Sequence, residues 1–78
     1  MIDEGRLRED LELAMADILD GRPFGPVLAH QIQRAAEDVL RAHRVSGDVV
    51  TVDGGAAVRI RIQHATRVRQ LVLDLRAL

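Results

Sequence analysis

Cysteine, lysine, tryptophan and tyrosine are all missing from this chain, and phenylalanine occurs once, at Phe24. Without cysteine there are no disulfide staples, thiolate metal sites, cysteine nucleophiles or redox pairs. With Phe24 the one aromatic residue, the core must be aliphatic, built from Leu, Ile, Val, Ala and Met. Base-stacking platforms, which use Phe, Tyr or Trp, lose their material. No apolar run approaches the length of a membrane span. The first ten residues, MIDEGRLRED, are acidic and polar, the opposite of a secretory signal, so a cytoplasmic protein is expected.

The chain has 78 residues and reads as a single small domain over 1–78. It is 47% hydrophobic and 29% charged, the balance of a folded domain rather than a disordered one. All 11 basic residues are Arg, which a G+C-rich coding genome explains as well as any need for guanidinium chemistry. Charge is unevenly placed. Residues 1–40 carry four Arg against nine acids, a balance of −5; residues 41–78 carry seven Arg against three acids, a balance of +4. Two such poles can pair within the fold or meet different partners.

Leu7, Leu11, Ala14, Met15 and Ile18 recur at three- and four-residue steps and predict an amphipathic helix from about Asp3 to Leu19, stopped by Gly21. Leu13 falls off that stripe. Pro26 suits the first position of a second helix carrying Leu28, Ile32, Ala35, Ala36, Val39, Leu40 and His43, ending near Arg44. Phe24, just ahead of it, is expected to plug one end of the core.

The period then changes from 3.6 to 2. A short strand is expected over Val49–Val52, a turn at Asp53-Gly54-Gly55, and a strand at Val58–Gln63, where apolar and polar residues alternate strictly. Ser46-Gly47-Asp48 reads as turn-forming, and 64–67 as a hairpin loop. Residues 67–77 fit a third strand through Leu71, Leu73 and Leu75. They also fit a helix through Val68, Leu71, Val72, Leu75 and Leu78. The predicted fold is therefore α+β, two N-terminal helices packed on a small antiparallel meander (α-α-β-β-β), with α-α-β-β-α as the alternative.

Catalytic chemistry has little to work with. Ser46 is the one serine; it follows a helix and lacks the flanking small residues of a nucleophile elbow. His30, His43 and His64 match no metal-ligand spacing, and no HExxH occurs. The adjacent acid pairs diverge around a helix and form no dyad. No catalytic, metal or cofactor site is expected, and the chain reads as a non-enzyme.

What remains is electrostatic. Glu9, Asp10, Glu12 and Asp17 on the first helix make one candidate binding surface. Arg59 and Arg61 on the outer sheet face, with Arg67 and Arg69 crowding the turn before the third strand, make the other. Each also reads as an ordinary solvated face. The expected function is a small non-enzymatic protein-binding module. A phage-encoded inhibitor of a host nucleic-acid machine, such as an anti-CRISPR protein, fits this size and this split of charge. The alternatives are direct nucleic-acid binding through the basic sheet face, or a small phage assembly subunit. The chain is expected to act as a monomer or homodimer with no membrane role.

Overall fold

Asp3 starts the first helix. Its extended backbone and a carboxylate that accepts the Arg6 N–H at 3.1 Å satisfy one of the donors a helix N-terminus leaves open. The computed structural model describes residues 3–64 and 66–78. Helix α1 runs Glu4–Leu19 and buries Leu7, Leu11 and Met15 completely. Leu13, on the opposite side, is exposed. Asp20 and Gly21 then take positive φ, with Gly21 at 77°, and turn the chain back.

Helix α2, Pro26–Ala42, opens on the proline and buries Leu28, Ile32, Ala36 and Leu40. It ends without glycine. Arg44 takes the left-handed conformation (φ 55°), the Val45 N–H bonds the Leu40 carbonyl at 2.9 Å, and the Arg44 N–H bonds that of Arg41 at 3.0 Å. This is a Schellman closure, with buried Val45 against buried Leu40 as its apolar contact. A side chain at that φ carries strain, on the order of 1–2 kcal/mol. The closure persists because it delivers Val45 to the core.

Three strands follow: β1 (Ser46–Val52), β2 (Ala57–His64) and β3 (Arg67–Asp74), in the order β1-β2-β3 and antiparallel throughout. The fold is α-α-β-β-β. Rows across the sheet set Val49 beside Ile60 and Leu71, and Val58 beside Leu73. All five are buried under the helices together with Ile62 and Leu75. Strand rather than helix wins at the C-terminus for a visible reason. A helix would need Val68 and Val72 inside with Leu71, whereas both are half-exposed on the far face. Leu75 completes the inner row, and the chain finishes in a 3-10 turn over Leu75–Ala77.

Three expectations need correction. Ser46-Gly47-Asp48 is strand, not turn, paired with Gln63, Ile62 and Arg61. Glycine is what allows it: a Cβ at Gly47 would stand 2.6 Å from the Arg61 carbonyl oxygen. Phe24 plugs nothing and is 42% exposed. The turn between β1 and β2 does pack on α2: Gly55 (φ 95°) lies so close that a Cβ there would sit 3.3 Å from that of Ala29. The expected 64–67 loop is tighter, since His64 and Arg67 already pair; Ala65 lies outside the described residues.

Leu11 and Ile32, both fully buried, sit at the middle of the two helix stripes. Truncating either to Ala is expected to cost about 2–5 kcal/mol, read as a lowered urea midpoint. An unchanged midpoint for Leu11→Ala would mean that this side chain contributes no core packing.

Candidate functional site

Because both helices lie on one side, the other face of the sheet carries no cover from the described residues. Strand alternation decides what it displays. Arg59 stands in one row between Val50 and Val72, and Arg61 in the next between Asp48 and Gln70. Beyond them Gln63 separates Ser46 from Val68. The three valines are 50–54% exposed. The face is thus a basic spine along β2 with mixed flanks, three valines set among Ser46, Asp48 and Gln70. Ser46, Asp48, Arg61, Gln63 and Val68 line a hollow at one end of it. Among the described residues neither Arg59 nor Arg61 makes an ion pair or a side-chain hydrogen bond, although Asp48 neighbours Arg61 in register.

The other two candidate arginines are not part of this face. Arg67 and Arg69 lie within β3, in register with His64 and Ile62, on the side that the helices occupy. Arg69 reaches α1, where its Nη1–H donates to the Glu4 carboxylate. The two charge poles therefore meet inside the molecule at this point. Arg76 belongs to the C-terminal 3-10 turn.

The acidic helix is largely committed as well. Asp3 is a cap, Glu4 holds Arg69, and Glu12 lies 3.7 Å from Arg8 one turn away. Asp10 reaches across to the end of α2, with its Oδ2 2.6 Å from His43 Nε2. His43 is only about one-fifth exposed, and the contact ties the middle of α1 to the end of α2, away from the connection that joins them. Nothing in the sequence marked Asp10 apart from Glu9, because the partner is 33 residues away. Glu9 and Asp17 are exposed and make no ion pair among the described residues.

At the far end of β3, Asp74 accepts both the Arg76 backbone N–H and its Nε–H at 3.0 Å. The Arg76 side-chain bond, followed by its backbone N–H, holds the Asp74 carboxyl below its ordinary value of 3.8. The same bond raises the Arg76 guanidinium.

No group of three or more His, Asp or Glu side chains converges among the described residues, and no described helix is long and apolar enough to cross a membrane. Comparison with protein-family models, with curated proteins and with solved structures found no match to this chain.

Two predictions follow from these contacts. In a double-mutant cycle, Asp10→Ala and His43→Ala are expected to couple by about 0.2–1 kcal/mol, the range of a solvent-accessible pair. Strict additivity would leave the contact without energetic content. The second concerns pH. A carboxyl depressed on folding contributes stability above its unfolded value and loses it as pH falls through the folded one. Asp74→Asn keeps a capping oxygen but not the charge. Urea titrations are expected to show wild type ahead of this variant at neutral pH, with the gap closing well below 3.8. A gap that persists in acid would assign the difference to capping geometry.

Proposed function

We propose that this protein is a non-enzymatic binding module that docks another protein on the open face of its sheet. The observation that carries the reading is the composition of that face: two arginines without internal partners set among three half-exposed valines. Valine favours a strand on either face, but three of them half-exposed on one uncovered face also offer a partner apolar area. Burying them on a partner gains about 25 cal/mol per Å2 of apolar area, and the arginines supply direction and encounter rate. The acidic helix is the weaker candidate, because Glu4 and Asp10 already serve the fold. A role as inhibitor of a larger nucleic-acid machine, or as a small assembly subunit, is a proposal within this class, and the identity of the captured protein decides between them.

Tagged wild type, Arg59→Glu/Arg61→Glu and Glu9→Arg/Asp17→Arg would be compared for protein capture, with circular dichroism confirming each fold. Asp10 is left out of the acid reversal, since an arginine there would abut His43. The sheet variant is expected to lose about 2–5 kcal/mol of binding through unfavourable charge juxtaposition. The helix variant is expected to bind as wild type. The opposite pattern would transfer the site to α1.

A further inference from the structure

We infer that the open sheet face receives an acidic amphipathic helix of a partner protein, aligned along β2. This rests on the reading of that face as a protein-binding surface and names what occupies it.

Charge complementarity gives the first argument. The centre of the face holds Arg59 and Arg61, whose guanidinium groups find no carboxylate within the described residues. An occupant that desolvates Val50 and Val72 on either side of Arg59 must also desolvate that arginine. Leaving a charge buried without a partner is strongly unfavourable, so the occupant has to bring acids.

Spacing gives the second. Two residues along a strand advance about 6.8 Å. Four residues along a helix advance about 6 Å. Carboxylates at i and i+4 on one helix face therefore stand over Arg59 and Arg61 together. Three strands span about 10 Å between the outer two axes, and a helix with its side chains is about 10–12 Å across. Apolar residues beside the two acids then meet Val50, Val72 and, further along, Val68. A helix laid on a sheet is also how the opposite face of this same sheet is covered.

Two other occupants fit less well. A second copy stacked face to face about a two-fold axis along β2 sets Arg59 on Arg59 and Arg61 on Arg61. A two-fold across the strands midway between them sets Arg59 on Arg61. Both juxtapose like charges, and an axis midway between β1 and β2, which sets each Arg61 on the other copy's Asp48, leaves Arg59 over Val50 with no carboxylate. Nucleic acid would neutralise the arginines, but phosphates and sugars leave the three valines without apolar contact.

The test is amide chemical-shift mapping on the full chain, labelled with nitrogen-15. Three probes are titrated: a helical peptide with glutamates at i and i+4 flanked by leucines, the same peptide with lysines for the glutamates, and a short DNA duplex. The acidic peptide is expected to shift amides around Val50, Arg59, Arg61 and Val72, to bind at least about tenfold more tightly than the basic one, and to weaken as salt rises. Arg59→Glu/Arg61→Glu is expected to reverse that preference while leaving the spectrum of the free protein otherwise intact. Equal binding of both peptides on this face would overturn the acidic occupant but keep the protein-binding reading. Preference for the duplex at the same amides would overturn both. Dilution-dependent shifts of the free protein on this face would make a second copy the occupant and overturn the inference. Failure of the acidic peptide to bind would overturn it as well.

Discussion

Two helices cannot wrap a three-stranded sheet, and most of what this molecule presents to its surroundings depends on that. A sheet needs one covered face for its apolar rows, and α1 and α2 supply just that. The strict alternation of Val58, Ile60 and Ile62 with Arg59, Arg61 and Gln63 on β2 records the same constraint in sequence. A shift of one residue in register would send three aliphatic side chains to water and two guanidinium groups into the core. The cost of that slip holds the central strand in place, and both neighbours take their register from it.

An aliphatic core in a chain this short leaves little surplus, so backbone detail carries weight. Arg44 accepts a left-handed φ so that Val45 can close the end of α2, and Gly47 gives up a side chain so that β1 can approach the Arg61 carbonyl. Each is a local cost tolerated for a tertiary contact. Gly55 belongs with them, since it lets the turn between β1 and β2 lie directly on the start of α2.

These same positions mark where the sequence stopped being legible. The helices, the central strand and the aliphatic stripes could all be read from periodicity, because burial on one face imposes it. The length of β1 could not. Its first three residues, Ser46, Gly47 and Asp48, have turn composition, and only a long-range pairing with Gln63, Ile62 and Arg61 makes them strand. Phe24 misled for a related reason: its hydrophobicity was plain, but hydrophobicity alone does not place a connecting residue in the core, and it stays 42% exposed. Of the candidate site, Arg59 and Arg61 were placed by alternation alone. The separation of Arg67 and Arg69 from them depended on whether 67–74 was helix or strand. The removal of Asp10 from the exposed acids depended on how the two helices align, which no local pattern encodes.

The sheet's edges bear on which of its surfaces is available. β1 and β3 both end the sheet with unpaired backbone on one side, and such edges invite pairing with another chain. Here α2 packs over β1. β3 carries Arg67 and Arg69 on the helix side, where a continued sheet would want apolar residues. Inward-pointing charge on an edge strand is a recognised obstacle to edge pairing, because a new neighbour would have to cover it. Arg69 is also held by Glu4, so moving it aside would break the contact between α1 and β3. Extension of the sheet at β3 therefore works against the fold, whereas docking on the open face disturbs no internal contact of Arg59 or Arg61. The basic pole ties α1 to β3 through Arg69 and at the same time sets Arg59 and Arg61, unpaired, on the one face that lacks a helix.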